Sequence, residues 1–212
     1  MGAFVKKIFT LLILIVFLSA CTKKEPLNFA DAVFNPQNSY GRELKAKYSV
    51  ELLNIVNKFS EYGINVQQKG VGFTKGETCK DCEYKEGEFW LYIVIEHENI
   101  ALKENMSLKV RALMVSENIS KDVLFALKTV DLDKLKYDKS FKGVLISGIW
   151  GTYTNIKQRV KTENFETVDI YIPKDPFFDY IDGNIKLENI LEFAKAYAKN
   201  ADEKDLNVEK VF

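Results

Sequence analysis

Cys79 and Cys82 enclose Lys80 and Asp81, and this is the one cysteine pair in the chain whose spacing suits thiol chemistry. A dithiol oxidoreductase sets its first cysteine at a helix N-terminus, where the dipole lowers the thiol pKa. Here Lys75-Gly76-Glu77-Thr78 precede the pair and Glu83-Tyr84-Lys85-Glu86-Gly87 follow it, a polar, glycine-bounded stretch between two predicted strands. That context predicts a hairpin loop pinched by a Cys79–Cys82 disulfide, with thiol-disulfide exchange as the alternative. A structural zinc site wants four ligands. Cys79, Cys82 and the single histidine, His97, fall short of that number, so no metal is expected.

His97 stands between Glu96 and Glu98 at the end of an apolar run. A carboxylate–histidine pair could act as a general base, but on a strand the two glutamates would point away from the histidine. No Gly-x-Ser-x-Gly or His-Glu-x-x-His pattern supports a standard hydrolase. Asp175, Asp179, Asp182 and Asn184 gather around Gly183 without the spacing of a calcium loop, and capping and turn formation explain the same residues. Trp90, Tyr92, Trp150, Tyr153 and Tyr171 lie on predicted strands, where they form either core or an exposed platform for glycan or peptide; Trp150 and Tyr153 are the candidate binding residues.

The N-terminus carries a second kind of chemistry. Lys6 and Lys7 precede an eleven-residue run, Ile8 to Leu18, apolar but for Thr10, and then Ser19, Ala20 and Cys21. The apolar run is shorter than the roughly 20 residues needed to span a bilayer, and it has the layout of a secretory signal, expected over residues 1–20. Leu18-Ser19-Ala20-Cys21 resembles the lipobox of bacterial lipoproteins, in which signal peptidase II cuts before the cysteine and the cysteine carries the lipid. The resemblance covers the first 21 residues. It implies lipidation of Cys21 and a membrane anchor of two or three acyl chains, each methylene contributing about 0.8 kcal/mol. In a Gram-negative envelope, Thr22 would permit delivery to the outer membrane.

Removing residues 1–20 takes away Lys6 and Lys7 and leaves 28 basic against 30 acidic side chains, a charge of −2. Phosphate-backbone binders show a basic excess or stripe; here lysines and acids alternate, so no nucleic-acid partner is expected. With 47% hydrophobic residues in 212, the chain can build one core. Residues 21–38, with Pro26 and Pro36, read as lipidated cysteine and tether. Phe29, Val33 and Phe34 are too apolar for a solvated linker, so its second half should dock on a single domain over 39–212.

Within that domain, apolar residues at 44, 48, 52, 55, 56, 59 and 62 predict one helix from Ser39 to Tyr62, ended by Gly63. Strands are expected at 64–73, 89–97, 107–115, 144–154 and 165–172, a short helix at 120–130, and a C-terminal helix from Asn184 to Ala198. Residues 89–97 are apolar on both faces, which belongs in the middle of a covered sheet. The expected class is α+β: an antiparallel sheet of about five strands covered by N- and C-terminal amphipathic helices. With no catalytic set and a lipid tether, the sequence points to a binding or structural module of the bacterial envelope, without cofactor, whose partner is an envelope protein or polymer.

Overall fold

The computed structural model describes residues 27–75, 87–98, 100–101, 106–153, 165–200 and 209–210. Strand β2 (Phe89–Glu96) explains the architecture. Phe89, Leu91, Ile93 and Ile95 are buried in the main core, whereas Trp90 belongs to a second cluster on the opposite sheet face. A strand apolar on both sides needs neighbours on both edges. It pairs antiparallel with β1 (Val66–Thr74) and parallel with β4 (Phe141–Tyr153). Beyond β4 lie β5 (Phe165–Pro173) and β6 (Lys195–Asn200), each antiparallel to its neighbour, and two-residue strands β3 (Ile100–Ala101) and β7 (Glu209–Lys210) extend the sheet. The fold is α+β with a mostly antiparallel, five-strand mixed sheet.

The parallel β2–β4 pair is the one departure among the five main strands from the expected antiparallel sheet. Parallel neighbours require a crossover, and the chain supplies it with α4, a 20-residue helix over Leu108–Leu127. Residues 107–115 are therefore helix, not strand, and the short helix expected at 120–130 is the end of the same element. Ser107 caps it, accepting the Val110 N–H at 3.3 Å. Ala112, Val115, Ile119, Val123, Leu124 and Leu127 bury one face at helical spacing. Arg111, Ser116 and Ser120 share that buried side while Val110, Leu113, Met114 and Phe125 lie outside, which is why the apolar period is hard to read.

Before α4 come α1 (Phe29–Ala32), α2 (Ser39–Lys47) and α3 (Ser49–Glu61). The single helix expected over 39–62 is broken at Tyr48, whose backbone leaves helical geometry (φ −111°, ψ 24°), and Asn38, not Ser39, caps its start. Residues 27–38 are docked: Ala32 and Val33 are buried, Val33 bridges Val71, and the Phe34 N–H donates to the Val71 carbonyl at 2.7 Å.

After α4 come the single turn α5 (Asp133–Lys136), β4, β5, α6 (Lys174–Ile181) and α7 (Leu187–Ile190), which runs into a 3-10 turn at Leu191–Phe193. The helix expected over 184–198 stops there. Residues 195–200 add to the edge of β5 instead, with Ala196 and Ala198 buried on the helix side and Tyr197 on the other. Sheet pairing and burial override the helix propensity of alanine.

Two glycines permit close approaches. At Gly143 (φ +143°) a Cβ would lie 2.1 Å from the Ile172 carbonyl oxygen, so β4 can lie against β5 there only without a side chain. At Gly148 a Cβ would lie 2.8 Å from both Ile119 Cδ1 and Val115 Cγ1, so α4 rests directly on the β4 backbone.

Asp138, between α5 and β4, ties the α2–α3 junction to the sheet. Its carboxylate accepts from Lys47 Nζ at 2.6 Å, the Tyr48 hydroxyl and the Ser140 N–H at 2.7 Å, while its carbonyl accepts from Lys174 Nζ at 2.7 Å. Burial pushes the Tyr48 phenol up to about 12, helped by the bond to Asp138, so it stays a donor. Burial alone would raise the Asp138 pKa, but the bonds from Lys47, Tyr48 and Ser140 outweigh it and hold the carboxyl below its ordinary 3.8. A lowered carboxyl pKa stabilises the fold above the unfolded value, and that stabilisation is lost as pH falls through the folded one. In urea unfolding at pH 7, Asp138→Asn should cost about 1.5–3 kcal/mol. The gap to the parent protein should hold down to about pH 5 and close below 3.8.

Candidate functional site

The parallel pair opens a cleft at the C-terminal end of β2. In open sheets, ligands favour the crevice beyond the carboxyl ends of parallel strands. Here the crevice holds about 400 Å³ and is lined by the end of α3 (Tyr62, Gly63, Ile64, Asn65), the end of β2 (Glu96, His97, Glu98) and the second half of α4 (Asn118, Asp122, Phe125). Gly63 (φ +67°) ends α3 and turns the chain toward β1. The Glu96 N–H donates to the Asn65 carbonyl at 2.9 Å, and the His97 N–H to Ile149 at 2.8 Å, which fixes the floor between β1 and β4.

Strand β2 ends at Glu96, and face alternation ends with it. Glu96, His97 and Glu98 all line the same cleft. His97 Nδ1 lies 2.9 Å from the Glu98 backbone carbonyl, so its described partner is main chain rather than a carboxylate.

On the rim, the Tyr62 and Phe125 rings meet edge to face, with centroids 5.3 Å apart. They are 41% and 56% exposed, well above what core aromatics show. Neither stood out in the sequence as a site residue. The available signal was Phe125 next to Leu124, one apolar residue too many for a single helix face.

A second cleft of about 470 Å³ adjoins the first across Glu96 and His97, lined by Gln67, Ile149, Trp150, Gly151 and the half-exposed Phe165. Trp150 is a wall, not a platform: it is 1% exposed and donates its indole N–H to Glu166 Oε2 at 3.0 Å. Glu166, opposite Trp150 across β4 and β5, also accepts from Arg111 through Nε at 2.7 Å and through Nη2. Arg111 in turn donates to the Met106 carbonyl. This buried clamp joins the first turn of α4 to the sheet beside the second cleft. Its sequence signal was an arginine among the apolar residues of one helix face, in a chain with three arginines.

The remaining aromatics are core on the sheet's other face. Trp90, Tyr171 and Tyr197 are buried, with Trp90–Tyr171 and Tyr171–Tyr197 packed edge to face. Beside them Asp169 accepts from the Ser147 hydroxyl and from Lys199 Nζ at 2.9 Å. Burial raises the Tyr92 and Tyr171 phenols, so both are neutral at ordinary pH and poor proton acceptors. The β1 edge is a poor site for strand addition, because Val33 covers its middle and the register jumps between Val66 and Val71.

Asp175 and Asp179 lie on α6, Asp182 caps it and pairs with Lys136 at 2.7 Å, and Asn184 Nδ2 donates to Asp179 at 3.4 Å. Among the described residues no three acidic, histidine or cysteine side chains gather as a metal site. Cys21, Cys79, Cys82 and the Tyr153 side chain lie outside the described residues.

If Tyr62 and Phe125 serve the cleft rather than the core, truncating them should cost little stability. Phe125→Ser should change urea stability by no more than about 0.5–1 kcal/mol, whereas Phe59→Ala, fully buried on α3, should cost about 3–5 kcal/mol. Compared with known family models, characterised proteins and solved structures, the chain matches none.

Proposed function

We propose that this protein is a lipid-anchored component of a bacterial cell envelope, held on the extracytoplasmic side of a membrane through Cys21, whose domain acts by binding at the cleft beside Tyr62 and Phe125. The partner is an envelope protein or polymer. One observation carries the reading: the Leu27 N–H donates to Ser60 Oγ at 3.0 Å, so the chain enters the domain two residues from Tyr62. Only six residue steps separate Leu27 from Cys21. At no more than about 3.6 Å per residue they reach roughly 20 Å. A lipid on Cys21 therefore keeps the cleft end close to the bilayer, with little slack for the domain to turn over.

The cleft's make-up also favours binding. Its polar groups include side-chain amides, carboxylates and the His97 imidazole, and its rim is aromatic. Such a mixed wall suits recognition by contact.

Fractionation of cells producing the Cys21→Ser protein tests the anchor. The variant should leave the membrane fraction or accumulate as uncleaved precursor. A Cys21→Ser protein that is processed and membrane-held like the parent would refute the lipid anchor.

A further inference from the structure

We propose that the cleft's ligand is a cationic polypeptide segment, one that presents lysine or arginine side chains to Glu96, Glu98 and Asp122. The proposal rests on the reading of this cleft as the binding surface and names the chemistry it selects. Charge complementarity carries it. The chain has 30 lysines and arginines against 30 acids, yet among the described residues that line the cleft there are three carboxylates and neither a lysine nor an arginine. Among the described residues, none of the three carboxylates forms an ion pair. By contrast, Asp138, Asp169, Asp182 and Glu166 all have cationic partners. A concave surface carrying one sign of charge focuses its field and draws in the opposite sign.

The shape and the rim narrow the occupant. The acidic side chains do not converge as a metal site, so the charge is spread for a ligand with several cationic groups rather than one ion. Tyr62 and Phe125 add exposed aromatic surface at the same rim, where a ring face attracts an ammonium or guanidinium group. The amide side chains of Asn65 and Asn118 can donate to and accept from a peptide backbone.

The test uses the full-length lipidated protein in uncharged detergent micelles, with fluorescein-labelled pentalysine as probe and pentaglutamate as control, read by fluorescence anisotropy. Pentalysine should bind, more weakly as salt rises, and pentaglutamate should not. The Glu96→Gln, Glu98→Gln, Asp122→Asn variant should lose at least about tenfold in affinity, since it removes all three charge contacts at once. Phe125→Ser, which keeps every charge, should lose a few-fold. Glu188→Gln, Glu192→Gln, which removes two exposed acids at the α7 turn, should bind within twofold of the parent.

The proposal is overturned if pentalysine does not bind, if the cleft variant binds as tightly as the parent, or if the α7-turn variant loses as much as the cleft variant. Saturable calcium binding at micromolar concentration, displaced by the same three substitutions, would also overturn it in favour of a metal site. Any of these results leaves the anchor untouched, because that stands or falls on the fractionation of Cys21→Ser.

Discussion

The Glu166 carboxylate can be buried in this protein only because Arg111 meets it with two N–H groups and Trp150 with a third. Taking either charge out of water alone would cost several kcal/mol, and each is tolerable only with the other in place. The interaction therefore acts as a positional constraint more than a source of net stability. It pins the start of α4 against the β4–β5 pair at Trp150 and Glu166. The rest of the helix then rests along the groove that Gly148 leaves open.

The placement of α4 sets the geometry of the candidate cleft. Because β2 and β4 are parallel, the connection between them must cross over, and it contains α4. Asn118, Asp122 and Phe125 on α4 are thereby brought to Tyr62 and Asn65 at the end of α3 and to Glu96–Glu98 at the end of β2. The cleft is thus assembled from three elements distant in sequence. The same end of the molecule receives the chain from the N-terminus through Leu27 and Ser60. Under the proposed lipidation of Cys21, the short stretch from Cys21 to Leu27 is what would couple anchor and cleft.

Some of this was legible in the sequence. Residues 89–97, apolar on both faces, announced a central strand, and Leu52, Ile55, Val56 and Phe59 announced the helix ended by Gly63. The docking of Phe29–Phe34 was legible in their apolarity. What misled was local pattern under tertiary control. Arg111, Ser116 and Ser120 occupy buried positions of α4 while Val110, Leu113 and Met114 face outward, so residues 107–115 passed for a strand. Ala196 and Ala198 look helical until an open edge of β5 is available to them. Parallel pairing of β2 with β4 leaves no local trace. The cleft shared that fate: Glu96, His97 and Glu98 drew attention as a triplet, but Tyr62, Asp122 and Phe125 become neighbours only once α4 is placed.

The central claim is that the Arg111–Glu166 clamp fixes α4 over the sheet, and a double-mutant cycle tests it most directly. Urea unfolding of Arg111→Met, Glu166→Leu and the double variant at pH 7 gives the coupling energy. Each single change should cost about 3–5 kcal/mol, because it leaves a buried charge unpaired. The double variant should recover enough to show a coupling of at least about 2 kcal/mol. Losses that add to within about 0.5 kcal/mol would mean that the two groups are independent in solution, and that α4 is held over the cleft by something other than this clamp.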